Sequence, residues 1–198
     1  DMNVGGVIAM SGDAEITELY NCDVKDTNII NNSGKGDLCA NTGGIVAAIS
    51  SANRSSNAEF SIVNCNWING NMTAKQGNAA GILGWTINAD GVGNIKNCNV
   101  KGCNINSEAD NSACSDTAGI VAISQKAINI NNCNLSDSTI TGKGANVAGI
   151  LAVGNTNGYQ KGTYKVTDCH VYNTDINSEH EFEGSSSNNS TAGLIAYV

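Results

Sequence analysis

A short glycine–aliphatic phrase recurs six times along the 198-residue chain and constrains its fold more than any other feature. The copies read GGVIAM, GGIVAA, AGILGW, AGIVAI, AGILAV and AGLIAY. A period of this length indicates a repeat protein in which each unit packs against its neighbours. The second residue of every copy is a glycine, and these glycines lie on average about 37 residues apart, at Gly6, Gly44, Gly81, Gly119, Gly149 and Gly193.

A second motif, centred on a cysteine that follows Asn or Asp, lies between the glycine phrases. Aligned on the cysteine, all five copies carry apolar side chains at positions −3, 0, +2 and +7. Apolar residues at 0 and +2 predict a half-buried strand, and the −3 spacing indicates a bend before the cysteine. In that order of positions the residues are Leu19, Ile62, Ile95, Ile130 and Val166; Cys22, Cys65, Cys98, Cys133 and Cys169; Val24, Trp67, Val100, Leu135 and Val171; Ile29, Met72, Ile105, Ile140 and Ile176.

The composition favours an all-β fold. With 31 Asn, 23 Gly and no Pro, the chain suits short strands joined by tight turns and suits helices poorly. We predict that residues 1–198 form a single repeat domain, a β-solenoid of about five 37-residue repeats. These repeats start near the first five glycines of the phrase, and a closing strand covers 192–198. An antiparallel meander of repeated β-hairpins is the alternative, because links such as 124–127 are short enough for a hairpin.

Stacked repeats would place like residues on like, about 4.8 Å apart, which is the spacing of neighbouring strands. The four apolar positions of the cysteine motif would then form ladders in the core. Loops that alternate between long and short also favour stacking, because bulky loops fit on every second layer. The residue before each cysteine would form a polar ladder with amides that bond along the stack. Its members are Asn21, Asn64, Asn97, Asn132 and Asp168.

The glycine phrase together with N-C-x-[VL] resembles the GLUG repeats, glycine-rich repeats of secreted and cell-surface proteins from bacteria and archaea. The likeness extends over essentially the whole chain and implies an extracellular, β-rich protein. A weaker resemblance is to the subunits of the tubular sheaths around some methanogenic archaea, which are protein polymers. The chain departs from the family pattern at the second glycine, which only one copy keeps: the residues there are Ala47, Gly84, Ala122, Ala152 and Ala196.

Eight cysteines in an extracellular chain ordinarily indicate four disulfides. Five of them hold the core position of the repeat, where cysteine often behaves as a small buried hydrophobe, and we interpret these as free thiols. The other three are Cys39, Cys103 and Cys114, of which Cys39 and Cys114 occupy equivalent places in two long loops. A Cys103–Cys114 or a Cys39–Cys114 bridge is open to them. Either bridge leaves one thiol for a disulfide between chains.

No motif predicts a catalytic residue, a metal ligand or a cofactor. The densest acidic cluster is Glu179, Glu181 and Glu183 around His180, and we interpret it as solvated loop surface. His170 and His180 have no partner at metal-ligand spacing. The sequence therefore predicts a protein that is not an enzyme.

Charge and hydropathy restrict the classes of partner that the chain is expected to bind. A formal charge of −8 and a pI of about 4.5 argue against electrostatic binding to nucleic acid. No apolar run reaches the roughly 18 residues of a membrane span. Sequons at Asn53 and Asn188 are candidate glycosylation sites, so glycans remain among the expected partners.

The ends of the sequence point to a function. Repeat proteins normally carry polar caps, because a terminal repeat otherwise leaves an apolar edge with unpaired backbone groups. Neither end has a recognisable cap, and strands predicted at 4–10 and 192–198 share one phase of the repeat. We expect an extracellular, structural cell-surface protein that self-assembles head to tail through these strands into a sheath, surface layer or fibre. The alternatives are a fragment of a larger adhesin or stalk and a polysaccharide-binding or polysaccharide-cleaving β-helix.

Overall fold

The computed structural model of the chain describes residues 2–12, 16–34, 40–50, 59–87, 91–109, 115–154, 163–179 and 190–198. Within these ranges every regular element is a β-strand, and the strands pair in parallel. The chain forms a β-solenoid with a repeat of about 36 residues, which confirms the predicted architecture. Parallel pairing excludes the alternative meander, because strands joined by hairpins pair antiparallel.

The strands of the described residues form five sheets, named A to E in the order in which the chain visits them. Sheet A contains β1 (Val4–Gly5), β6 (Thr42–Gly43), β11 (Ala79–Ala80), β16 (Thr117–Ala118), β21 (Asn146–Ala148) and β26 (Ser190–Ala192). Sheet B contains β2 (Ile8–Gly12), β7 (Val46–Ser50), β12 (Leu83–Ile87), β17 (Val121–Ser124), β22 (Leu151–Gly154) and β27 (Ile195–Tyr197).

The other three sheets are one strand smaller in the part of the chain that is described. Sheet C contains β3 (Ile16–Tyr20), β8 (Glu59–Val63), β13 (Gly93–Lys96), β18 (Ile128–Asn131) and β23 (Tyr164–Thr167). Sheet D contains β4 (Asp23–Lys25), β9 (Asn66–Ile68), β14 (Asn99–Lys101), β19 (Asn134–Ser136) and β24 (His170–Tyr172). Sheet E contains β5 (Asn28–Asn31), β10 (Asn71–Ala74), β15 (Asn104–Ser107), β20 (Thr139–Gly142) and β25 (Asp175–Ser178).

Each turn of the solenoid contributes one strand to every sheet, and we call the set a layer. Strands β1–β5 form layer 1, and each following set of five forms the next layer. Strands β26–β27 form layer 6, which among the described residues has strands in sheets A and B alone. The layers stack in register, so that Ile62 lies between Leu19 and Ile95 in sheet C. We call such a row of equivalent residues a column.

Two left-handed corners divide each cysteine motif into three strands. The residue before the cysteine has a φ of 52° to 57° in every layer, and it is Asn or Asp each time. Outside glycine, Asn and Asp adopt this backbone conformation most readily, which accounts for part of the asparagine content. The first corner is the bend that the −3 spacing indicates. The second corner, four residues after the cysteine, contains Asp26, Asn69, Gly102, Asp137 and Asn173.

The glycine phrase also forms a corner, between sheets A and B. A repeat therefore contains five short strands. The corner requires glycine because of close approach between layers. A β-carbon on Gly44 would lie 2.2 Å from the carbonyl oxygen of Gly81 in the next layer and 2.7 Å from the ring of Trp67.

The four predicted core ladders fill the interior of the solenoid. Their members in layers 2 to 4 are at most 1% exposed, whereas Val24 and Ile29 in layer 1 are 9% and 6% exposed. All four members in layer 5, Val166, Cys169, Val171 and Ile176, are only partly buried. Coverage of the core thus depends on having a layer on each side.

The predicted polar ladder is also present. The side-chain amide of each asparagine donates to the amide oxygen of its equivalent in the preceding layer: Asn64 to Asn21 (3.0 Å), Asn97 to Asn64 (3.1 Å) and Asn132 to Asn97 (2.9 Å). A second ladder lies two residues further along the chain, with bonds from Asn66 to Asp23 (2.8 Å), Asn99 to Asn66 (2.8 Å) and Asn134 to Asn99 (3.0 Å).

Candidate functional site

The two ends of the solenoid are cross-sections of its core. The residue after each repeat glycine illustrates this, because its exposure depends on whether its layer has a neighbouring layer on both sides. It is fully buried in layers 2 to 5, where it is Ile45, Ile82, Ile120 or Ile150. The same position is 43% exposed in layer 1, where it is Val7, and 46% exposed in layer 6, where it is Leu194.

Large exposed apolar side chains are concentrated at these ends. Of the ten in the described part of the chain, nine lie in layers 1, 5 and 6, and Val92 is the exception. The end layers therefore expose more large apolar side chains than the inner layers do. The nine are Met2, Val7, Met10, Tyr20, Ile30, Tyr172, Leu194, Tyr197 and Val198.

The repeat glycines give a second view of the C-terminal end. A β-carbon on Gly81 would meet the carbonyl oxygen of Gly119 at 2.3 Å, and one on Gly149 would meet that of Gly193 at 2.1 Å. A β-carbon on Gly193 would have no atom within 4 Å. Gly193 therefore occupies the same repeat position as Gly81 and Gly149, but no described residue packs against it from a following layer.

The C-terminal end is stepped, because layer 6 is present in sheets A and B and absent from the described strands of C, D and E. The step encloses a cleft of about 550 Å³. Its floor is the layer-5 surface of sheets D and E, and its wall is the corner of layer 6. The lining residues include Cys169, Val171, Ile176, Gly193 and Leu194. The cleft thus lies beside layer 6 and above the described layer-5 strands of sheets D and E.

Ionisable side chains in four surface columns are confined to the end layers. The inner members of these columns are amides or hydroxyls, which stack without charge repulsion. From layer 1 to layer 5 the columns are Glu18, Ser61, Asn94, Asn129 and Lys165; Asn21, Asn64, Asn97, Asn132 and Asp168; Asp23, Asn66, Asn99, Asn134 and His170; Asn28, Asn71, Asn104, Thr139 and Asp175. Sequence reasoning noted the second of these columns and missed the opposed end charges of the first and third.

A buried amide ladder, which sequence reasoning missed, lies inside sheet A. Its members precede the repeat glycines by three residues, so the repeat alignment contains the signal: Asn3, Asn41, Asn78, Asp116 and Asn146. Asn78 donates to Asn41 at 2.8 Å, and Asn146 donates to Asp116 at 2.7 Å. Burial raises the pKa of Asp116 to about 6, partly offset by the bonds from Asn146. Asp116 is 5% exposed, so this carboxyl group is an ionisable member of an otherwise neutral interior column.

The cysteines of the core ladder are free thiols. Each donates to a backbone carbonyl, as Cys98 does to Lys96 at 3.2 Å. Hydrogen bonds with the neighbouring thiols Cys133 and Cys65, together with burial, raise the pKa of Cys98. Cys98 is therefore a packing element with little thiolate at neutral pH.

Cys103, one of the three cysteines outside the core ladder, is a free buried thiol that donates to the carbonyl oxygens of Trp67 and Lys101. Burial raises its pKa. A bridge from Cys103 is absent from the structure, which leaves the Cys103–Cys114 pairing without support. Cys39 and Cys114 lie outside the described residues.

Other residues singled out in the sequence fall in different places. Glu179 and His170 are exposed, and His170 belongs to the C-terminal end face. The described ranges contain no group of three or more His, Cys, Asp and Glu side chains that would hold a metal ion. The structure does not describe the candidate glycosylation sites Asn53 and Asn188, nor His180, Glu181 and Glu183.

Among the residues that the structure describes, no helix is long and apolar enough to cross a membrane. No protein-family model matches the sequence, and neither a curated protein nor a solved structure matches the chain.

Proposed function

We propose that this protein is an extracellular structural subunit that self-assembles head to tail into a cell-surface sheath, surface layer or fibre. The observation that carries the proposal is the change in exposure along the column that contains Val7 and Leu194. Inner members of that column are fully buried, and both outer members are nearly half exposed. The extracellular setting follows from the resemblance to GLUG repeats.

The hydrophobic effect favours closing these faces. Burying a Val, Leu or Ile side chain stabilises by about 1.5–3 kcal/mol, and each end exposes several large apolar groups. Edge strands add a row of unpaired N–H and C=O groups that pair readily with another strand. The two faces differ, so that one copy's C-terminal end meets the next copy's N-terminal end. Such a contact is heterologous, and it produces rings or open filaments.

Val7→Asp tests the proposal. It places a carboxylate at the apolar centre of the N-terminal end face, where any partner layer would have to bury it without a counter-ion. The wild-type protein is expected to sediment as large polymers and to form extended particles in electron micrographs. The variant is expected to sediment as a monomer at the same concentration, with an unchanged circular dichroism spectrum.

Ile30→Asp is the matched control. Ile30 is also an exposed aliphatic residue of layer 1, at 56%, and it alternates with the inward Ile29, so it points to the lateral surface. The same charge change there should leave polymerisation intact. A wild-type protein that remains monomeric at high concentration, or a Val7→Asp variant that assembles like the wild type, would contradict the proposal.

A further inference from the structure

The two end faces fit each other in three sheets and conflict in the other two. If layer 1 of a second copy lay directly on layer 5, its Glu18 would follow Lys165 in one column and its Asp23 would follow His170 in another. In sheets A and B, however, β26 and β27 already occupy the position above layer 5. Docking β1 and β2 of the second copy on top of β26 and β27 would leave an empty layer about 4.8 Å high in sheets C, D and E.

We propose that copies join by strand exchange: β1 and β2 of an incoming copy replace β26 and β27 above layer 5, and residues 190–198 of the receiving copy are released. This inference rests on the proposed head-to-tail assembly and specifies its joint. The exchanged segments are equivalent, because Gly6, Val7 and Ile8 occupy the same three columns as Gly193, Leu194 and Ile195. The receiving strands β21 and β22 therefore keep equivalent backbone partners.

The exchange is favourable because pairing is replaced in two sheets and gained in three. Sheets A and B lose β26 and β27 and gain β1 and β2. Sheets C, D and E, which end at β23, β24 and β25 in the described residues, gain a partner strand beyond these. The cleft of about 550 Å³ is filled by β4 and β5 of the incoming copy, with Val24 and Ile29 facing Val171 and Ile176.

The C-terminal pair is the one that leaves, because β26 and β27 are held by five residue pairs and β1 and β2 by six. Strand β27 pairs with β22 through Leu151↔Ile195 and Val153↔Tyr197 alone. Strand β2 pairs with β7 through four residue pairs. The hydroxyls of Ser11 and Thr17 also form a 2.7 Å hydrogen bond that ties β2 to the next strand of its own layer.

The end charges fit this joint and leave no like-charged neighbours among the four columns. Lys165 meets Glu18 of the second copy, and His170 meets its Asp23. The carboxylates of Asp168 and Asp175 meet the amides of Asn21 and Asn28. In the chain, Asn66 already donates to the carboxylate of Asp23 one layer below at 2.8 Å, which is the same kind of contact.

Cysteine pairs in the full-length chain distinguish exchange from simple docking. Strand exchange places Lys25 of one copy one layer from Tyr172 of the next, whereas docking places them two layers apart. Docking instead makes Met10 the neighbour of Tyr197. The variants Lys25→Cys/Tyr172→Cys and Met10→Cys/Tyr197→Cys, both with Cys39→Ser and Cys114→Ser, are treated with a bis-thiosulfonate reagent that has an ethylene spacer. Denaturing gels then measure cross-linking between copies.

We expect a ladder of cross-linked multimers from Lys25→Cys/Tyr172→Cys. We expect no such ladder from Met10→Cys/Tyr197→Cys. The pair Lys25→Cys/Ile68→Cys calibrates reactivity, because these residues are neighbours within one chain. Tyr197→Cys alone should label faster with maleimide after assembly, since exchange releases it. The reverse cross-linking pattern, or slower labelling, overturns strand exchange while leaving polymerisation in place. A wild-type protein that does not sediment as a polymer overturns the proposed function as well.

Discussion

The inner layers and the end layers of this solenoid have the same sequence pattern in different surroundings. Ile82 and Val7 occupy one column, yet Ile82 is fully buried and Val7 is 43% exposed. Gly81 and Gly193 occupy another, and only Gly81 has a neighbouring layer against its α-carbon. The pattern of a repeat therefore specifies what a residue will contact only where the next layer is present.

The inner and end layers also differ in their ionisable side chains. In four columns the inner layers contain neutral amides and hydroxyls, and ionisable groups appear only in layers 1 and 5. Stacked like charges about 4.8 Å apart would repel each other, which explains their absence inside. At the ends, Glu18 in layer 1 is opposite in charge to Lys165 in layer 5. This fits a contact in which layer 1 of one copy stacks on layer 5 of another.

The largest expected effect comes from adding one methyl group to an inner glycine. Gly81→Ala forces a β-carbon to 2.3 Å from the carbonyl oxygen of Gly119, so we expect a loss of about 4 kcal/mol or more in the free energy of unfolding. Gly193→Ala should change it by no more than about 0.5 kcal/mol, because nothing lies within 4 Å. Urea unfolding of both variants as monomers in the Val7→Asp background measures the difference. Equal losses would show that the end layer is as tightly packed as the interior.

Asp116 is the ionisable member of an otherwise neutral interior column, and Asp116→Asn would make that column neutral throughout. Its pKa is about 6 in the folded chain and 3.8 in an ordinary environment. The folded protein thus binds the proton more tightly, so stability from this group is complete below pH 4 and is lost as the pH rises through 6. Two pKa units correspond to about 3 kcal/mol.

We therefore expect Asp116→Asn to raise the free energy of unfolding at pH 7.5 by up to about 3 kcal/mol and to leave it little changed at pH 4. Thermal unfolding across this pH range is the measurement. Asp168→Asn is the control, because Asp168 is an exposed end-layer carboxylate in an equivalent asparagine ladder. A wild-type protein with the same pH profile as Asp116→Asn would rule out ionisation of Asp116 as a source of instability.

The smallest expected effect concerns the end charges. Lys165→Glu would place a carboxylate next to Glu18 of the following copy, and we expect the critical concentration for assembly to rise about two- to fivefold, the range of an exposed ion pair. Adding Glu18→Lys to the same chain restores opposite charges and should return the critical concentration to the wild-type value. Light scattering at several salt concentrations measures it. If Glu18→Lys does not rescue Lys165→Glu, then Lys165 and Glu18 are not neighbours in the polymer.

Much of the fold could be predicted from the sequence, because equivalent residues recur at fixed spacing. The core ladder through Cys65, Cys98 and Cys133 and the asparagine ladder beginning at Asn21 follow from alignment of the repeats alone. The division of each repeat into five strands could not be predicted, since it depends on left-handed backbone at Asn21 and Asp26. The closing strand over 192–198 was predicted, but its division into β26 and β27 in two sheets, which makes the step at the C-terminal end, was not.

The direction of the amide bonds has a consequence for growth. In the described residues, every hydrogen bond between asparagine side chains runs from a later layer to the preceding one, as from Asn104 to Asn71 and from Asn129 to Asn94. One extremity of a stack consequently offers N–H donors, and the other offers oxygen acceptors. A head-to-tail polymer of such units would therefore have two chemically different ends.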